Sequence, residues 1–234
     1  MNLIKEIIMS RFKLVINQKN LDNRNVLFEN TFLNELTDII IDNKKFRGTI
    51  NFIRDMFYLK SIEEYDFALN RCLIGYANNF QIFLDVYNLF KEYKPYKKYD
   101  LGLLRGRFLE LLSYKYLKRL YDKDVIYSES KIKINDYESH FWDIIIKLED
   151  ILKLYECKFS SKTIKRSHLN SMLSLKNKIH QSEIYLTTFE HKDIVMDDLN
   201  DLICDTSQIK FDNMLKTFNY IYLEDYTKEN PFDN

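Results

Sequence analysis

The chain has 234 residues, of which 46% are hydrophobic, and its 35 Lys+Arg balance its 35 Asp+Glu. That length suits one large domain or two small ones, and the composition belongs to a folded chain, not a disordered one. Its only glycines are Gly48, Gly75, Gly102 and Gly106, and it holds no G-x-G-x-x-G, G-x-x-x-x-G-K or G-x-S-x-G. Dinucleotide, P-loop and α/β-hydrolase chemistry are therefore disfavoured, and no nucleotide cofactor is indicated.

Met1–Asn17 mixes apolar residues with Lys5, Glu6, Arg11 and Lys13. Its apolar runs are too short for a signal peptide or a membrane span. Residues 1 to about 97 read as helical by periodicity. The clearest stripe is Phe80, Phe83, Leu84, Tyr87 and Phe90, with less regular ones over Leu27–Ile41 and Phe52–Leu59. Glu63, Glu64 and Asp66, just after Ser61, predict another helix start, with acidic charge at the positive end of its dipole. The charged stretch Lys91–Asp100 holds Pro95, the internal one of two prolines, and reads as a linker. This gives a helical domain over residues 1–97, available for contacts with a partner, with DNA or in a homodimer, and a second domain over residues 98–234.

The pattern then changes. Leu103–Tyr121 predicts a helix and Val125–Ile134 a strand. His140–Leu148 and Ile151–Phe159 are apolar, β-branched runs joined by Glu149–Asp150, which predicts a hairpin with a tight polar turn. Thr163–His180 reads as a helix and Glu183–Phe189 as a buried strand. Met196–Cys204 and Phe211–Phe218 read as helices, and Tyr220–Leu223 as a last strand. The second part is thus α-β-β-β-α-β with additions, an α+β or α/β arrangement. Three distant cysteines without C-x-x-C indicate neither a zinc ribbon nor a disulfide framework, and fit a reducing cytoplasm.

The hairpin carries charge where a plain core strand would not. Asp143 sits in Phe-Trp-Asp-Ile-Ile-Ile, and Glu156 and Lys158 sit in Leu-Tyr-Glu-Cys-Lys-Phe. Residues two apart on a strand share a face, so Glu156 and Lys158 point the same way. Placing them on an apolar strand costs desolvation unless something compensates, and a divalent metal would do so. Two carboxylates on adjacent strands offer oxygen ligands to Mg²⁺. The Glu-x-Lys spacing occurs four times, at Glu92/Lys94, Glu129/Lys131, Glu156/Lys158 and Glu190/Lys192. Only the third follows an acid-bearing apolar strand after a short turn.

Asp143 followed by Glu156-Cys157-Lys158, in a β-β-α context, resembles the PD-(D/E)XK nuclease superfamily, nearest in motif to its archaeal resolvase-like and CRISPR-associated members. Gly106-Arg107-Phe108-Leu109-Glu110 is similar to the pattern that opens the first core helix in several of these nucleases. The resemblance covers about residues 101–190, and Trp142 departs from it by standing in the place of the family's proline. It implies a restriction-endonuclease-like αβββαβ core behind the helical segment. It also implies an Mg²⁺- or Mn²⁺-dependent endonuclease, with DNA ahead of RNA as substrate, and allows a defence role or an inactive nuclease-fold subunit. The implied catalytic set is Glu110, Asp143, Glu156 and Lys158. The implied metal ligands are the three carboxylates and the Cys157 backbone carbonyl.

The charge map supports a polyanionic substrate. Between Ile151 and His180 lie Lys153, Lys158, Lys162, Lys165, Arg166, Lys176 and Lys178 against the single acid Glu156. Residues 101–120 carry Arg105, Arg107, Lys115, Lys118 and Arg119 against Glu110. Arg105, Arg107, Lys162, Lys165, Arg166, Lys176 and Lys178 are therefore the candidate phosphate contacts, which would position a strand without reading its sequence. The balancing acids lie in residues 181–234, where twelve face four bases.

Overall fold

The computed structural model describes residues 4–8, 12–42, 46–75, 80–93, 101–149, 151–203 and 216–233. The chain runs β1 (Ile4–Ile8), β2 (Lys13–Asn17), α1 (Gln18–Phe28), α2 (Thr31–Asp42), α3 (Arg47–Tyr58), α4 (Ile62–Gly75), α5 (Phe80–Tyr93) and α6 (Leu101–Leu120). Then come β3 (Ile126–Ile134), β4 (Tyr137–Glu138), β5 (Trp142–Lys147), β6 (Leu152–Lys158), α7 (Arg166–Lys178), β7 (Ser182–Thr188), α8 (Lys192–Ile203) and β8 (Asn219–Ile221). It is a mixed α+β fold built on one sheet in the order β1-β2-β3-β5-β6-β7-β8, with β4 paired to β3. The β1 to β6 pairings are antiparallel, and β6-β7 and β7-β8 are parallel.

The local signals act as their chemistry requires. At the start of α4, Glu64 N donates to Ser61 Oγ at 3.2 Å and Ser61 N donates back to Glu64 Oε2 at 3.2 Å, a reciprocal cap. Asn135, at φ 49°, supplies the left-handed residue between β3 and β4, a conformation asparagine tolerates better than most. The β5–β6 hairpin closes with Leu148 N donating to the Ile151 carbonyl at 3.0 Å. The alternating β-branched runs on either side pair as Ile144 with Tyr155 and Ile145 with Leu154.

Two cores cover the sheet. On one side Ile144, Ile146, Tyr155, Cys157 and Tyr185 pack in one cluster with α6 and with α2, α3 and α5. On the other side Ile145, Leu152, Leu154, Ile184 and Leu186 pack with Leu169, Met172 and Leu175 of α7 and with Val195 and Leu199 of α8. Helix α6 is buried on nearly all sides, through Leu104, Phe108, Leu109, Leu111, Leu112, Tyr116 and Leu117. It is the central helix of the first cluster, with its basic side chains at the margins of the apolar surface.

Two expectations are corrected. Residues 13–17 and 4–8 form strands, not helix, and extend the sheet beyond β3. The helices before residue 97 do not carry a separate core: Phe57 of α3 lies 5.0 Å from Phe108 of α6 and 5.2 Å from Phe159 after β6, ring centre to ring centre. Burial of these aromatic rings joins the two parts. The expected linker overlaps the end of α5, and its residues 94–100 lie outside the described residues. So does most of the helix expected over Phe211–Phe218. Among the described residues no helix is long and apolar enough to cross a membrane.

Candidate active site

The site forms where two strands exchange faces. In an extended strand, residues of one parity stay on one side of the sheet. Ile144 and Ile146 face α6, yet Trp142 lies in the α7-side core. On β3, Ile126 packs against the α6-side cluster and Ile132 belongs to the α7 side. The break falls at Glu129, whose φ of 48° is foreign to a strand and strained for a residue with a Cβ. Ser128 pairs with Ile144 and Ser130 with Trp142, so Glu129 stands opposite Asp143. Continuing the pairing of Ile144 with Tyr155 sets Asp143 opposite Glu156. Three acids from β3, β5 and β6 thus lie in a row across the sheet, at the carboxyl end of β6.

Each carboxylate has its own partners. Glu156, 5% exposed, shares the α7-side face with Leu152 and Leu154. Its Oε1 lies 2.6 Å from Lys158 Nζ and its Oε2 lies 3.2 Å from His140 Nε2. Asp143 accepts from Cys157 N at 2.7 Å. Glu110, 8% exposed, comes from α6 and pairs with Arg107 one turn earlier. The same Arg107 Nη1 lies 2.6 Å from Glu129 Oε1. Arg24 of α1, 3% exposed, stacks its guanidinium 4.2 Å from the Phe28 ring and adds positive charge near Glu110 and Glu129.

Electrostatics separates the roles. Burial pushes the Asp143 carboxyl well above its ordinary range, and the charges of Glu156 and Glu110 push it further, against Lys158 and the Cys157 N–H. Burial also raises Glu110, reinforced by Glu129 and opposed by Arg107. For Glu156, burial works the same way, but His140 and Lys158 outweigh it and hold the carboxyl below its usual value. Lys158 is held above its usual value, because Glu156 and Asp143 outweigh the burial of its ammonium. The Cys157 thiol lies in the α6-side core with Sγ 3.7 Å from Ser113 Oγ, and burial raises it strongly. Its side chain is packing, and only its backbone faces Asp143.

The donor set suits a hard cation, since carboxylate oxygens are the ligands Mg²⁺ and Mn²⁺ select. Burial and the charges of Glu156 and Glu110 all disfavour ionisation of Asp143, so a cation beside it would favour its charged form. Among the described residues, however, no group of three or more His, Cys, Asp or Glu side chains is arranged to hold a metal ion. Glu110 faces Arg107 instead, so ligation by all three would require that carboxylate to turn.

The basic residues divide. Lys162, Lys165, Arg166 and Lys178 are exposed; the first two lie on the connection from β6 into α7 and Arg166 opens α7. That connection is fixed by the buried Glu190, which accepts from Ser161 N at 2.8 Å and Ser160 Oγ at 3.3 Å. Arg105 stacks its guanidinium 5.0 Å from the Tyr58 ring. Arg107 departs from the expectation of a phosphate contact, because its Nη1 is engaged by two buried carboxylates. Lys176 donates to the carbonyls of His180 and Ser182 and fastens the α7–β7 turn.

Sequence reasoning missed Glu129 and His140. The Glu129/Lys131 spacing was visible, but a left-handed residue inside a strand has no sequence signature when it is not glycine. His140 stands three residues before Asp143, and only the fold brings it to Glu156.

No family model matches the sequence, and no curated protein matches it. Among solved structures, the crystal structure of protein VC1899 from Vibrio cholerae aligns with a TM-score of 0.47 and 13% identity. The alignment covers 85% of this chain and 55% of that one, so the chain spans about half the length of that protein.

Proposed function

We propose that the protein is a divalent-metal-dependent nuclease with a restriction-endonuclease-like core. The observation that carries this reading is the meeting of Asp143 and Glu156 on adjacent antiparallel strands, with Lys158 2.6 Å from Glu156 and the charge of Glu110 acting on the same locus. The order α6, β3, β5, β6, α7, β7 supports the αβββαβ core. Asp143, Glu156 and Glu110, with the Cys157 carbonyl, would hold Mg²⁺ or Mn²⁺, which when bound would supply polarisation of a phosphate and a more acidic water. Lys158, kept protonated by its two acidic neighbours, would orient an attacking water and offset the charge that develops on the phosphate. Lys162 and Lys165, on the connection that follows Lys158, and Arg166, at the start of α7, would hold the nucleic-acid backbone, DNA ahead of RNA.

The test is cleavage of a panel of single- and double-stranded DNA and RNA with Mg²⁺ or Mn²⁺, comparing the wild type with Glu156→Ala and Lys158→Ala. Each variant should lose about 10²-fold or more of the rate; variants that cut as fast as the wild type refute the site. A second reading, a nuclease-fold subunit that binds without cutting, is favoured by the pairing of Glu110 with Arg107. Binding with no cleavage under any metal condition supports that reading.

A further inference from the structure

His140 is not part of the Asp-Glu-Lys motif, yet it touches the motif directly. Its ring is held on three sides. Nε2 lies 3.2 Å from Glu156 Oε2, Nδ1 lies 3.1 Å from Ser171 Oγ on α7, and the ring centre lies 4.4 Å from that of Trp142. An ionised carboxylate can only accept a hydrogen bond. Nε2 must therefore carry the proton towards Glu156. In the neutral ring Nδ1 is then an acceptor, and the Ser171 hydroxyl donates to it. Trp142, fully buried, packs against the ring at a tilt of 38° and limits its movement.

Glu156 is thereby held at both oxygens, Oε1 by Lys158 and Oε2 by His140. A buried carboxylate with one anchored oxygen can still rotate about its last torsion, a broad and soft coordinate. With both anchored it cannot. Glu156 is the acid on which both the proposed cation and Lys158 depend, so its orientation sets the geometry of each.

We propose that His140 is a positioning residue of the site. Through its Nε2–H it fixes the Glu156 carboxylate for cation binding, and Ser171 and Trp142 fix the ring. This rests on the nuclease reading in one respect, that Glu156 is a ligand of the cation. The arrangement is a hydrogen-bond support behind a metal ligand, and loss of such support lowers metal affinity about 10- to 100-fold.

The experiment measures Mn²⁺ affinity by calorimetry on the full chain, with cleavage kinetics and thermal melting in parallel. The variants are His140→Ala, His140→Gln, His140→Asn and Ser171→Ala. His140→Ala should weaken Mn²⁺ binding at least about tenfold and lower kcat, leaving KM for nucleic acid close to that of the wild type. His140→Gln, whose terminal amide reaches the place of Nε2, should restore affinity, and the shorter His140→Asn should not. Nitrogen NMR of the metal-free wild type should show His140 protonated at Nε2. A ring protonated only at Nδ1 overturns the proposal whatever the metal does. If the wild type binds Mn²⁺ and folded His140→Ala binds it equally well, the positioning role fails and the nuclease reading stands. If the wild type binds no Mn²⁺, the nuclease reading fails and takes the proposal with it.

Discussion

Arg107→Met separates the structural role of this residue from the phosphate contact its position suggests. Methionine keeps most of the apolar stem and removes the charge. The side chains of Arg107, Glu110 and Glu129 are 16%, 10% and 9% exposed, so the substitution leaves two buried carboxylates without their shared partner. Breaking a buried ion pair from one side costs about 3–5 kcal/mol. Arg24 lies close enough for its charge to reach both glutamates, which places the expected cost towards the lower end. For a chain of this length, ~1 kcal/mol shifts Tm by about 2–4 °C, so the melting temperature should fall on the order of 6–12 °C. An exposed phosphate-binding arginine would change stability by only about 0.5 kcal/mol when replaced. The loss should also depend on pH. Burial already raises the folded-state pKa of Glu110 above its usual 4.5, and removing Arg107 raises it further. The folded variant then binds more protons than the unfolded chain, so its stability falls as pH rises. The deficit grows as pH rises above 4.5 and shrinks as pH drops towards it. Urea titrations from pH 5 to pH 8 read both quantities. A loss under about 1 kcal/mol, or one independent of pH, refutes the buried-network account.

Three further outcomes are expected. Asp143→Asn keeps an acceptor for the Cys157 N–H but cannot ionise. Because burial, Glu156 and Glu110 raise the wild-type pKa, the metal-free wild type loses stability as pH rises above 3.8, and the variant should melt higher at pH 8 with a flatter pH dependence. A lower melting point for the variant at pH 8 would show that Asp143 is not destabilised there. Phe57→Ala should cost about 3–5 kcal/mol. Far-ultraviolet dichroism of the helices and fluorescence of Trp142, the single tryptophan, should still report one transition. Two separate transitions would contradict the shared core. Replacing Lys162, Lys165 and Arg166 together by alanine should leave Tm unchanged and weaken nucleic-acid binding, lowering the slope of log affinity against log salt by up to about 2.7. An unchanged slope would remove this loop from the interface.

Elements whose signals are local could be read before the fold was known. The run from α6 through β7 was legible because strand alternation, the break at the hairpin and the helix stripes all operate within a few residues. The Glu156/Lys158 pair was legible for the same reason, since spacing along one strand fixes a shared face. The reciprocal cap at Ser61 and Glu64 was equally local. Other features depend on long-range packing. Residues 4–8 and 13–17 have no strong periodicity of their own and become strands by pairing with one another and, for 13–17, with β3. Helices α2, α3 and α5 carried ordinary apolar stripes, and only packing showed that those stripes share a core with α6. Arg107 and Glu110 were both named from the sequence, but their partner Glu129 lies 19 residues beyond Glu110 on a strand whose kink nothing nearby announces. His140 meets Glu156 across 16 residues through the register of a hairpin. Local periodicity places a charge on an element; which charges meet depends on register and on a break in one strand, and both are settled by the free energy of the whole sheet and its two cores.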